Sequence, residues 1–200
     1  MAALRERNMS HIDRRQFVAG LIAQIPDALI VTGLGSAAYD VFAAGDRDEN
    51  FYLWGAMGGA AATGLGLALA RPERKVVVVT GDGEMLMGIG TLATIAARAP
   101  DNLSVVVLNN GHFGETGMQP SHTSCGTRLE SVAQGFGIAH TLTLESIDGL
   151  TALVAQIQAR SGAVFADVLI SVDEPPRRLP PRDGSFVKNR FRRALGLSPF

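Results

Sequence analysis

Two short signatures close two β-branched runs, and their residue types suit a hard cation bound together with an anion. Gly81-Asp82-Gly83-Glu84 follows the Lys-Val-Val-Val-Val-Thr run at 75–80, and Asn109-Asn110-Gly111 follows the Leu-Ser-Val-Val-Val-Leu run at 103–108. Runs of this kind are typical of strands buried on both faces of a parallel sheet. Open α/β sheets bind ligands at the carboxyl edge of their strands, so Asp82 and Asn110 are expected there side by side. Mg²⁺ demands oxygen ligands in an octahedron and is usually held by one or two carboxylates together with phosphate oxygens. Asp82 and the Asn110 amide oxygen would leave room for a diphosphate. Gly81 and Gly83 let the backbone approach closely, and a helix starting near Glu84 offers unpaired N–H groups to an anion. Either residue alone would be unremarked in a turn after a strand. A bland domain would not need both.

The elements that must carry these residues alternate along the chain. Strands are expected at 28–32, 51–54, 75–80, 103–108, 139–144 and 164–172, and helices at 36–44, 57–71, 84–97, 129–135 and 146–160. Ser10, with Asp13 three residues later, looks like the start of a further helix carrying Phe17, Leu21 and Ile25 at helical spacing. Such alternation predicts an α/β fold: a doubly wound, mostly parallel sheet with helices on both faces. The expected domain spans residues 10–172. Two segments depart from the pattern. Residues 111–128 form a long loop rich in Gly, Thr, Ser and His that leaves directly from Asn110, and loops of that length in a compact domain are usually functional or mobile. Residues 173–200 carry two Pro-Pro pairs and a basic stretch, and read as a solvated tail.

Composition narrows the function classes. The 200 residues, 46% of them hydrophobic, suffice for one well-packed domain and hardly for two. A net charge of −1 gives no electrostatic footprint for nucleic acid or an anionic membrane. The single cysteine, Cys125, excludes an internal disulfide and any cysteine-built cluster. No apolar run is long enough to span a membrane, and residues 1–15 are charged without an apolar signal core, so a cytoplasmic location is expected.

A GDG followed, after one helix and one strand, by NN resembles the signature of the thiamine diphosphate (TPP) enzymes. The resemblance implies a diphosphate-binding (PP) domain with Mg²⁺ held by Asp82, Asn110 and the main-chain carbonyl of His112. The segment Gly55-Ala56-Met57-Gly58 is similar to a second family element. By that likeness Met57 wedges beneath the two rings of the cofactor, and the Gly55 carbonyl bonds the 4′-amino group. Methionine, polarizable and adaptable, suits the wedge. Gly35 and Ser36, at the end of the first strand, are further candidates to face the diphosphate. Glu84 stands where many relatives carry Ser. A carboxylate about 4 Å from a phosphate charge would be repelled by roughly 4 kcal/mol at an effective dielectric near 20, so its side chain is expected to point away from the ligand.

Within this family the chain resembles the sulfopyruvate decarboxylase β subunits and phosphonopyruvate decarboxylases, a likeness carried by the GDG, the strand end Leu108-Asn109-Asn110-Gly111 and Thr116-Gly117-Met118-Gln119. That implies decarboxylation of a small 2-oxo acid to an aldehyde and CO₂. It also implies a hetero-oligomer, because the catalytic glutamate of such enzymes belongs to a pyrimidine-binding domain for which this chain has no residues to spare. An α-type partner subunit would supply it. Candidates to meet the substrate are His112, Glu115 and His122, with Gln119 and Arg128 beside them. An acid at position 115 could donate a proton, and Arg128 or a cationic histidine would favour an anionic substrate tail. The same cofactor would serve a carboligase or an oxidising enzyme, and a non-catalytic TPP-binding subunit is a further reading. A nucleotide-binding domain is disfavoured, since no G-x-G-x-x-G follows the first strand.

Overall fold

The computed structural model describes residues 12–198. The strands are β1 (Leu29–Thr32), β2 (Asn50–Tyr52), β3 (Val76–Gly81), β4 (Leu103–Asn109), β5 (His112–Phe113), β6 (Gln119–Pro120), β7 (His140–Leu144) and β8 (Val164–Leu169). The helices are α1 (Arg14–Gln24), α2 (Ser36–Ala43), α3 (Ala60–Ala70), α4 (Asp82–Met87), α5 (Thr91–Arg98), α6 (Leu129–Gly135), α7 (Leu150–Ala159) and α8 (Gly184–Ala194). Six strands form one sheet in the order β2-β1-β3-β4-β8-β7, every pair parallel.

The β-branched runs explain why the sheet is buried on both faces. Side chains alternate across a strand, so Val77, Val79 and Val106 pack with Phe17, Leu21 and Leu153 of α1 and α7. Val76, Val78, Val105 and Val107 pack on the opposite side with Leu65, Met85, Leu92 and Leu129 of α3 to α6. β3 and β4 run in register from Val76 opposite Leu103 to Gly81 opposite Leu108, which brings the two signatures to the same edge.

Several boundaries differ from the sequence reading. Ser10 lies outside the described residues, and α1 is capped by Asp13, whose carboxylate accepts from the Gln16 N–H at 2.7 Å. The single helix expected at 84–97 is two, α4 and α5, separated at Gly88 to Gly90. A Cβ on Gly88 would overlap the Gly58 carbonyl, so the chain turns there to pack against the 55–59 segment. Residues 111–128 are not plain loop, because β5 and β6 pair as a small antiparallel hairpin around a 3₁₀ turn at Gly114–Thr116.

The expectation of a solvated tail is corrected. From Asp173 the chain runs back along the domain as an extended strap, which its prolines favour by denying it a helix. The Pro176 carbonyl accepts from Arg15 Nη2 at 2.9 Å and the Pro181 carbonyl from Trp54 Nε1 at 2.9 Å. Asp183 then caps α8, accepting from the N–H groups of Ser185 and Phe186. Val187, Arg190 and Phe191 form the buried face of α8, with the Phe191 ring 5.3 Å from that of Phe51 on β2.

Candidate cofactor and metal site

At the carboxyl edge a cavity of about 150 Å³ is lined by Ser36, Met57, Gly81, Asp82, Gly83, Glu84, Asn110, His112 and Glu115. Nine of the candidates named from sequence thus converge on one space. Gly35, Gly55 and His122 are not among its lining residues. His122 is exposed in the loop and is not brought to the site; its main-chain carbonyl accepts from the N–H groups of Cys125 and Thr127 in a local turn. Gln119 and Arg128 are also exposed, the first bonded to Thr116 and the second 3.7 Å from Glu130. Gly35 adopts φ +72°, a conformation that favours glycine, and a Cβ there would sit 2.9 Å from Glu115 Cγ. It lets Glu115 lie over the start of α2.

Asp82 is only 2% exposed. Its Oδ2 accepts from the Ser121 hydroxyl and from Thr123 Oγ1, the latter at 2.9 Å. Burial pushes its carboxyl above the usual range, against those hydroxyls and the N–H groups of Asp82 and Gly83. These partners are all neutral. A buried carboxylate of this kind is stabilised by a cation, and none of its partners here supplies one.

Asn110 Oδ1 accepts from the His112 N–H at 3.0 Å, which closes a tight turn at the end of β4. His112 Nδ1 lies 2.8 Å from the Asn110 carbonyl. A carbonyl only accepts, so Nδ1 carries the proton and a neutral ring keeps Nε2 as its acceptor. Phe113 covers the triplet from one side: a Cβ on Gly83 would fall 2.5 Å from its ring.

Glu84 is buried with its carboxylate turned into the protein. Oε2 accepts from Thr80 Oγ1 at 2.9 Å and Oε1 from the Ala60 N–H at 3.3 Å. Burial raises its pKa, opposed first by Thr80 and then by the N–H groups of Ala60, Gly58 and Leu34. The side chain therefore knits the β1 turn, the 55–60 segment and the end of β3. A Cβ on Gly33 would overlap it, so that glycine is required by Glu84 itself.

Residues 37–168 match the family model for the thiamine pyrophosphate enzyme, C-terminal TPP binding domain. This chain belongs to the thiamine pyrophosphate enzyme family. It is 42% identical over 120 residues to sulfopyruvate decarboxylase subunit beta of Methanocaldococcus jannaschii, covering 60% of this chain and 63% of that one. It is 41% identical over 183 residues to phosphonopyruvate decarboxylase of Streptomyces viridochromogenes, covering 90% of this chain and 45% of the other. The TPP domain thus spans well under the full length of these relatives. Among solved structures, benzoylformate decarboxylase of Polynucleobacter necessarius superposes with a TM-score of 0.70 at 18% identity, over 87% of this chain and 36% of that one, a likeness of fold.

The donor set of this TPP domain fits the cofactor's metal. Asp82, the Asn110 amide and the His112 carbonyl are all oxygen donors, as Mg²⁺ requires. Among the described residues no three His, Cys, Asp or Glu side chains group to hold a metal. A cation at Asp82 would therefore rely on oxygens of the diphosphate. Sequence reasoning missed Arg14, Phe113, Ser121 and Thr123. The only signal for the last two was the density of hydroxyls in the 111–128 loop. Arg14 also lines the cavity, its Nε held 2.6 Å from Asp40, and only the fold brings helix α1 there.

Proposed function

We propose that this chain is the diphosphate- and Mg²⁺-binding subunit of a two-subunit decarboxylase acting on a small 2-oxo acid of the sulfopyruvate or phosphonopyruvate kind. The observation that carries the reading is the pairing of Asp82, a buried carboxylate whose bonded partners are all neutral, with Asn110 at the ends of adjacent strands. The naming of the M. jannaschii relative as a subunit supports the division between two chains. Met57 is 38% and Met87 66% exposed, and Met87 packs against Gly58 beside the cavity. This open apolar rim is where a pyrimidine-binding partner would meet the cofactor.

Each residue has a part in this account. Asp82, Asn110 Oδ1 and the His112 carbonyl would hold Mg²⁺, and through it the diphosphate. Met57 supports the rings, and Ser36 stands at the first turn of α2 within reach of the anion. When bound, thiamine diphosphate supplies the nucleophile and the electron sink for loss of CO₂. His112 offers Nε2 as an acceptor, and Glu115 brings a carboxyl group to hold or return a proton at the reacting end. Arg177 of the strap lies 3.3 Å from Glu115 Oε2, so this acid is shared between the cavity and the strap.

The test is to purify the chain from its native cells in TPP and Mg²⁺, identify a stoichiometric partner carrying a pyrimidine-type domain, and assay the pair on 2-oxo acids. Aldehyde and CO₂ are expected, with turnover lost in Asp82→Ala. A ligated product or a reduced external acceptor would point to the carboligase or oxidising alternatives. Full turnover in an assembled Asp82→Ala complex would make the subunit non-catalytic.

A further inference from the structure

The carboxylate at the centre of the site is oriented by residues 39 and 41 positions further along the chain. Both the Ser121 and the Thr123 hydroxyl take the same oxygen, Asp82 Oδ2, leaving Oδ1 out of this hydroxyl network. The two hydroxyl oxygens are themselves 2.8 Å apart. Thr123 Oγ1 also lies 3.0 Å from Asn109 Oδ1, and Asn109 Nδ2 donates to Asp167 Oδ1 at 3.0 Å. That last bond fixes which end of the Asn109 amide faces the loop, and its oxygen accepts the Gly111 N–H as well, at 3.1 Å. Asp82, Asn109, Ser121 and Asp167 are all at least nine-tenths buried. A continuous polar chain thus runs under the site from β8 through β4 to the end of β3, and its middle members are loop residues.

Proton counting shows what this chain can do. Thr123 has one hydroxyl proton, while Asp82 Oδ2 and Asn109 Oδ1 are both acceptors without protons of their own. The proton serves one at a time. Both hydroxyls hold Oδ2 and leave Oδ1 out of their network, and whether the Thr123 proton sits on Asp82 or Asn109 depends on the charge at Asp82, so the network has a reason to respond to the metal.

We propose that Ser121 and Thr123 are positioning residues that set the Asp82 carboxylate for its cation, so that metal uptake and the seating of the 111–128 loop are one coupled equilibrium. The inference rests on the functional reading above for the identity of the cation. Its consequence is specific: the loop that carries His112 and Glu115 into the cavity is ordered by the event that loads the cofactor. By reciprocity, loosening the loop must weaken the metal by the same factor.

The experiment uses the full chain with its partner and two readouts other than turnover: the Mg²⁺ dependence of TPP binding by calorimetry, and amide hydrogen exchange across residues 111–128 with and without TPP and Mg²⁺. Thr123→Val, close in shape but without the hydroxyl, and Ser121→Ala are expected to weaken Mg²⁺ by about 10- to 100-fold each, the usual range for partners of metal ligands. Both are expected to abolish the metal-dependent protection of the loop. Thr123→Ser should restore most of both effects, which a merely space-filling role would not do. If the valine variant fails to fold, the graded series of Thr123→Ser and Ser121→Ala carries the same comparison. Wild-type Mg²⁺ affinity and unchanged exchange in the folded Ser121→Ala and Thr123→Val proteins would overturn the proposal. Failure of the wild-type complex to bind TPP with Mg²⁺ would instead overturn the functional reading beneath it.

Discussion

Arg190 on α8 forks onto Asp46 in the turn before β2, with Nη1 2.6 Å from Oδ2 and Nη2 2.8 Å from Oδ1. Burial of Asp46 would raise its pKa, but the bonds from Arg190 and from the Tyr52 hydroxyl outweigh it and hold the carboxyl below its ordinary value. An acid with a depressed folded pKa contributes stability that is complete above its unfolded value, near 4, and is lost as pH falls through the folded one. Acidification below about pH 4 is therefore expected to loosen α8 before the rest of the domain. Limited proteolysis at pH 7 and pH 3 measures it, and in Asp46→Asn the pH sensitivity of tail cleavage should disappear. At neutral pH, Asp46→Ala should cost roughly 2 kcal/mol, between the values for exposed and buried pairs.

Asp167 behaves in the opposite sense. Burial is the main reason its carboxyl is pushed up to about 6, with the Asn109 bond opposing and the charge on Asp82 assisting. A raised acid is a liability to the fold when ionised, so stability is expected to increase as pH falls from 7 through 6 toward the unfolded value near 4. Asp167→Asn keeps an oxygen for Asn109 and removes the charge. In EDTA at pH 7 it should melt higher than wild type by a few degrees, and the two curves should converge near pH 4.5. A lower melting point at pH 7 would contradict this account.

Removing the Glu84 carboxylate should be costly. Glu84→Ala leaves the Thr80 hydroxyl and the Ala60 N–H without their acceptor in a buried corner. At about 1–3 kcal/mol for each orphaned group, a loss of roughly 3 kcal/mol is expected in thermal or urea unfolding. Glu84→Gln should recover part of it. Gly33→Ala, whose Cβ meets the same carboxylate, should be destabilised comparably, and the double variant Gly33→Ala with Glu84→Ala less than the sum.

The Glu115–Arg177 contact joins two partly exposed side chains, a kind of pair that adds little to stability. Arg177→Ala is therefore expected to leave the melting temperature within about a degree. Its effect should appear in turnover, as a change in KM for the 2-oxo acid with TPP and Mg²⁺ affinity unaltered. Equal loss of Mg²⁺ affinity would show that the strap acts on the cofactor end of the cavity instead.

Much of the scaffold was legible because it depends on local pattern. The runs ending at Thr80 and Leu108 read correctly as adjacent buried strands, and Asp82 and Asn110 line one cavity as their positions required. What escaped depends on contacts distant in sequence. The break after Met87 arises from the approach of Gly88 to Gly58, which no helical periodicity reveals. The α8 helix was hidden by flanking prolines and charge, although Asp183 as a cap and Val187 and Phe191 at helical spacing were present as signals. Ser121 and Thr123 are unremarkable loop hydroxyls until the hairpin of β5 and β6 folds them onto Asp82.

The position of α8 also bears on how the molecule behaves in a crowded solution. β2 is the outermost strand on its side of the sheet, and such a strand carries peptide groups ready to pair with a strand of another molecule. Arg190 Nη2 donates to the Asn50 carbonyl on this strand at 3.3 Å, and Phe191 packs on its Phe51. The C-terminal helix is thus a guard against edge-to-edge aggregation, and trimming it would expose the sheet to its own copies.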